Sequence, residues 1–171
     1  MLWPAASSGN RGESFMKALC LTMAFSAFAI ATPALAKDAA VEAPITKFVE
    51  SFNRGDIAAA TTTVATDVQI IDEFAPYSWN GPTAFQAWMT AYEKDATAKG
   101  LTDPMVALGA PTREMVSGTR AYVIVPAVYT YKQKGVAMTE TAQMTVTLAN
   151  GDAGWKIIAW TWTGPDPSPA H

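Results

Sequence analysis

The sequence predicts an α+β fold: a cone-shaped roll of three N-terminal helices packed on a curved antiparallel β-sheet. Two observations carry this prediction. Between Phe48 and Trp88 the chain reads as helix, tight turn, short helix, one strand and then a capped helix. From Met105 to Thr163 the apolar spacing changes to alternation, and turn residues divide the stretch into an antiparallel meander. Pro126 falls inside one of those strands, which implies an edge or a bulge. A bulge would help the sheet to curl around a pocket.

The chain begins with an address. Residues 1–15 carry Arg11 and Glu13 and fit no part of a signal, so they read as a mis-assigned extension before Met16. Residues 16–36 read as a secretory signal peptide, with Met16-Lys17 as the basic start, Ala18 to Ala31 as the apolar run and Ala34-Leu35-Ala36 as the cleavage site. The run is too short for a permanent span. The expected location is periplasmic or secreted, with no membrane attachment after cleavage. The mature domain is expected over residues 37–163, followed by a disordered Pro-rich tail over 164–171.

Helix one is expected from Val41 to Arg54, because Ile45, Phe48, Val49 and Phe52 make one apolar stripe. Gly55 suits the left-handed position after it, and Asp56 can cap helix two, Ile57 to Val64. Val68 to Phe74 reads as a strand. Helix three starts at Asn80-Gly81-Pro82, presents Phe85, Trp88, Met89 and Tyr92, and stops at Gly100.

Short strands are expected at Met105–Leu108 and Thr112–Val116, and long ones at Thr119–Lys132, Val136–Leu148 and Trp155–Thr163, with a hairpin turn at Lys132-Gln133-Lys134-Gly135. Successive strand residues alternate faces. In the fourth of these, Met138, Glu140, Ala142, Met144, Val146 and Leu148 should face the helices, and the threonines should face outward. In the last, Ile158, Trp160 and Trp162 should share one face, and Trp155, Ile157 and Ala159 the other. Apolar groups on both faces call for a second cover, so a homodimer is expected.

Composition narrows the function. Half of the residues are apolar and the formal net charge is −3, with no basic stripe, so nucleic acid is excluded as a partner. The one cysteine, Cys20, lies in the leader, so the mature chain has neither a disulfide nor a thiol nucleophile. The one histidine is the last residue, His171. No spacing suggests a metal site, and no Gly-rich phosphate loop or haem motif is present, so no cofactor is expected.

Asn53, Gly55 and Asp56 at the helix-end turn, Gly81 at the third helix and the order of elements after the leader resemble the nuclear transport factor 2-like superfamily. That superfamily includes the SnoaL-like cyclases and ketosteroid isomerases. The resemblance implies the cone fold, and it places Asp72 on the catalytic general base of the ketosteroid isomerases. Two departures follow from the same alignment. Phe48 falls on the family's oxyanion tyrosine, and Ala142 or Met144 falls near its oxyanion acid; none of these can donate. Losing one such donor costs on the order of 10²–10³ in rate, which argues against steroid-type isomerisation.

Beside Asp72, the candidate ligand-binding residues are Tyr77, Trp79, Trp88, Tyr92, Glu140 and Trp160, and Tyr122, Tyr129, Tyr131 and Trp162 are further aromatics that could line a cavity. Aromatic faces suit a flat apolar ligand, and Glu140 interrupts an apolar strand face, where a carboxylate must be paired, protonated or at a pocket mouth. Structural roles stay open beside these: core packing for Trp88 and Tyr92, a strand-end position for Glu140, and hydrogen bonding to loop groups for Asp72. Glu73 should point away from Asp72, and Tyr129 and Tyr131 share a face that could lie at a dimer interface. The expected function is binding of a small apolar or aromatic molecule in the cone, without catalysis. One alternative is an acid–base enzyme of isomerase, cyclase or lyase type with Asp72 as base. Another is a structural or interaction dimer whose cone is filled by its own side chains.

Overall fold

Helix α1, Ala39–Asn53, opens the computed structural model, which describes residues 38–170. The expected leader, residues 1–36, lies outside them. Asp38 caps α1 by accepting from the Ala40 N–H, and Val41, Ile45, Phe48 and Val49 are buried along its inner stripe. Helix α2, Ile57–Thr61, is capped by Asp56 in the same way. It stops three residues short of the expected Val64. Thr61, Thr62 and Thr63 each turn their hydroxyl back onto a carbonyl three or four residues earlier, which competes with continuing the helix.

Strand β1 therefore starts early, at Val64, and ends at Ile71, before the acidic pair. The two-residue strand β2, Ser78–Trp79, pairs with its end. Helix α3, Ala84–Lys99, starts after a turn in which Gly81 takes a positive φ of 89°. It ends at Gly100, left-handed at φ 66°, as expected.

Five strands follow: β3 (Leu101–Leu108), β4 (Arg113–Ser117), β5 (Arg120–Gln133), β6 (Val136–Gly151) and β7 (Gly154–Thr163), with a two-residue β8 at Ser168–Pro169. The sheet order is β2-β1-β7-β6-β5-β3, with β4 also on β5 and β8 on β6. Three helices on this curved sheet are the expected fold class. The sheet is mixed, however, because β1 runs parallel to β7. These strands lie near opposite ends of the chain, so no hairpin constrains their direction.

Pro126 resolves as a local edge. It sits where β3 has ended and β4 has not begun, so its missing N–H leaves no gap in a ladder, and its carbonyl accepts from Gly109. Register across β5 and β6 runs without a break.

The alternation of β6 is as expected: Glu140, Ala142, Met144, Val146 and Leu148 are buried. That of β7 is not. Leu148 faces Ile157 while Thr147 faces Ala159, so Ile158 is an extra residue and the strand bulges there. Ile157 and Trp160 are both in the core, with Trp155 and Trp162 packed against it. The two-sided apolar pattern of this strand is thus largely the signature of a bulge.

The end of the chain departs from the expected disorder. Met138 and Thr139 of β6 pair with Pro169 and Ser168, and the Ala170 N–H bonds the Ala137 carbonyl at 2.9 Å. The β6 edge beyond β7 offers unpaired backbone groups, and the tail satisfies them. No helix among the described residues is long and apolar enough to cross a membrane.

Candidate functional site

Between α1, α3 and the inner sheet face lies a cavity of about 220 Å³. Its apolar walls come from Phe48 and Phe52 of α1, Phe74 of the loop after β1, and Met144 and Trp160 of the sheet. Trp88 of α3 is the hub of these rings. It stacks on Tyr92 at 6.1 Å and meets Trp160 edge-on at 5.4 Å, 89° apart. Offset and edge-on contacts of this kind hold each ring in one orientation.

Asp72 enters this wall from the end of β1. Its Oδ2 accepts from the Trp88 indole N–H at 2.8 Å, and its Oδ1 from the Glu73 backbone N–H at 2.8 Å. Burial pushes the carboxyl up from 3.8 to about 6, against the pull of those two donors. Asp72 is thus a hydrogen-bonded acceptor that also lines the cavity.

Glu140 lies behind the same wall. It is only 2% exposed; its Oε1 accepts from the Trp162 indole N–H at 2.7 Å, while its Oε2 has no partner among the described residues. Glu73 also lines the cavity, at its more exposed side, which corrects the expectation that it points away from Asp72. The strand has ended at Ile71, so alternation does not reach Glu73. Partial burial and then the facing Glu140 raise its carboxyl above the usual range.

The β5 side supplies hydroxyls. Tyr92 and Tyr129 bond to each other at 2.9 Å, and burial pushes both above the ordinary phenol value, so both stay protonated. Tyr129 and Tyr131 face the cavity, not an outer interface, because β5 turns its odd-numbered residues inward. At the mouth, Lys99 pairs with Asp95 at 2.8 Å. Asp166 and Pro167 of the tail complete the rim, and Gly164 passes so close to Glu140 that a Cβ there would collide with Oε1.

The six candidate binding residues thus divide. Trp88, Tyr92 and Trp160 line the cavity, and Glu140 supports it. Tyr77 does not; it is 60% exposed, in a turn with φ 71° beyond the strand. Trp79 is buried against Phe74 at 5.2 Å and is a core residue outside this cavity. Glu73 belongs to the site without having been singled out for it; Tyr129, Tyr131 and Trp162 came from a wider set of aromatics, which the sequence did not sort from Tyr122 outside the cavity. The usable signal was the inward face of β5, once its register against β6 is known. Among the described residues no cluster could hold a metal ion.

No family model and no curated protein matches the chain. Solved structures share its fold. Hexachlorocyclohexane dehydrochlorinase LinA-type3 from Novosphingobium barchaimii LL02 superposes with a TM-score of 0.66 at 12% identity, covering 77% of this chain and 88% of that one. A ketosteroid isomerase-like protein from Erwinia carotovora atroseptica gives 0.59 at 20% identity, over 75% and 96%. A nuclear transport factor 2-like protein from Salmonella enterica serovar Typhimurium gives 0.61 at 16%, over 74% and 89%. At these identities the likeness establishes the fold.

Proposed function

We propose that the domain binds a small apolar or aromatic molecule in its cone. One observation carries this reading: an aromatic cavity of about 220 Å³ with a desolvated carboxyl, Asp72, held in its wall. A cone filled by its own side chains would lack that space. A cavity of about 150 Å³ accepts benzene, so the ligand is one or two rings in size. Titration of one- and two-ring aromatics tests this, read by the emission of Trp88, Trp160 and Trp162. Saturable quenching with a matching rise in melting temperature is expected. If no compound changes either signal at millimolar concentration, the reading fails.

A second reading is acid–base chemistry with Asp72 as general base. What favours it is the pairing of a carboxyl raised to about 6 with the protonated Tyr92–Tyr129 hydroxyls in the same cavity. Asp72 would take a proton from carbon beside a carbonyl, and a hydroxyl would donate to the oxyanion that forms. Phe48 offers no such donor, so Tyr129 or Tyr92 would carry that role from a different wall. A turnover that Asp72→Asn abolishes and Tyr129→Phe weakens would support it. The domain is further proposed to act after export, as a homodimer.

A further inference from the structure

The cavity holds more negative than positive groups, and the carboxyls of Asp72 and Glu140 receive only neutral donors. Asp72 accepts from Trp88 and from a backbone amide, and Glu140 from Trp162. The ion pairs among the described residues are Arg54–Glu50, Lys99–Asp95 and Lys132–Asp103; none involves Asp72, Glu73 or Glu140. Lys99, the cation on the cavity wall, is already held by Asp95. Meanwhile Glu140, 2% exposed, keeps an oxygen with no donor but the proton of the Glu73 carboxyl beside it. A buried carboxylate oxygen without a partner is costly unless something positive comes to it.

We propose that the ligand is an organic cation, an amine or quaternary ammonium on an aromatic or apolar body, with its charge set between the cavity's rings and the Asp72 and Glu73 carboxyls, and with Glu140 acting on it from behind the wall. This rests on the binding function proposed above and names the class of ligand. Ring faces attract a cation through their quadrupoles, and Trp is the strongest of them. Trp88, Trp160 and Trp162 stand beside the carboxyls, with Tyr92 and Tyr129 next to them. An anionic ligand would meet repulsion from every side but Lys99. A neutral one would leave Glu140 as it is.

Protonation is the alternative way to neutralise this cluster. The groups that face it are Tyr92, Asp95 and Lys99 of α3, Tyr129 and Tyr131 of β5, Glu140 of β6 and Asp166 of the tail. A bound cation competes with the protons on Asp72 and Glu73. Binding should therefore release protons and tighten as pH rises from about 6 to about 9.

Phenyltrimethylammonium and its neutral isostere tert-butylbenzene test the proposal by calorimetry. Phenyltrimethylammonium cannot lose its charge, so any pH dependence belongs to the protein. It should bind at least about tenfold more tightly than tert-butylbenzene above about pH 8, with proton release visible as a heat that varies with the buffer. Glu140→Gln and Glu73→Gln should each cost about tenfold in affinity for the cation and leave tert-butylbenzene within about twofold. Glu73→Gln lies at the exposed side of the cavity, so it serves if Glu140→Gln does not fold. Equal or tighter binding of tert-butylbenzene, or a cation affinity unchanged in a folded Gln variant, overturns the cation and leaves the binding function standing. Binding of neither probe overturns both.

Discussion

Replacing Asp72 by asparagine should change how stability depends on pH, and the size of the change can be worked from the site. In the folded protein the carboxyl is raised from 3.8 to about 6 by burial. Between those values the folded state holds a proton that the unfolded chain has lost, so stability falls as pH rises through the window. At about 1.36 kcal/mol per pH unit the full loss is about 3 kcal/mol, of which about 2–3 kcal/mol accumulates between about pH 4 and pH 8. Asparagine removes this titration. It also has one acceptor oxygen where Asp72 has two, so either the Trp88 or the Glu73 N–H is left unsatisfied. That costs about 1–3 kcal/mol at every pH. Urea unfolding of both proteins, followed by tryptophan emission, separates the two effects. The variant should be the less stable near about pH 4, and the difference should move in its favour by about 2–3 kcal/mol by about pH 8. Curves that stay parallel across this range would mean that Asp72 titrates like an exposed aspartate, and the desolvated site would have no basis.

Trp88→Phe deletes the indole donor to Asp72, a contact that lowers its pKa, so the acid should titrate above about 6 in the variant; a loss of about 1–3 kcal/mol in urea melts should accompany it. Gly164→Ala places a methyl group against Glu140 Oε1 and should displace the tail. About 1–3 kcal/mol of destabilisation is expected, with faster hydrogen exchange at the Ala170 amide that bonds Ala137. N-terminal sequencing of protein exported by its host should begin at Lys37, and retention of residues 16–36 would refute the leader. Light scattering at micromolar concentration should give twice the monomer mass; a monomer throughout would mean that the outer threonine face is adequately covered by water.

Most of the fold was legible because its signals are local. The stripe Ile45, Phe48, Val49 and Phe52, the stop at Gly100 and the turn at Lys134-Gly135, where φ is 49° and 84°, each depend on neighbours a few residues away. The features that escaped depend on distant partners. The parallel pairing of β1 with β7 joins Ile70 to Trp160. The tail is ordered by the free edge of β6, which its own Pro-rich composition does not announce. Asp72 was found through a resemblance of spacing. Glu73 was misplaced because alternation was carried two residues past the strand's end.

The bulge at Ile158 decides whether this protein has an acidic aromatic site at all. With unbroken alternation from Ile157, the residues turned inward would be Ala159, Thr161 and Thr163. The extra residue shifts the phase by one, so Trp160 and Trp162 turn inward instead, opposite Val146 and Met144. Trp160 then meets Phe48 at 5.0 Å and closes the cavity wall. Trp162 brings its N–H to Glu140, which would otherwise be a buried carboxyl with neither oxygen bonded. A buried acid is tolerated only with such a partner, so Glu140 and the bulge depend on each other. In the sequence both looked like irregularities: a glutamate in an apolar face, and a strand apolar on both sides. One backbone insertion accounts for the second and makes room for the first.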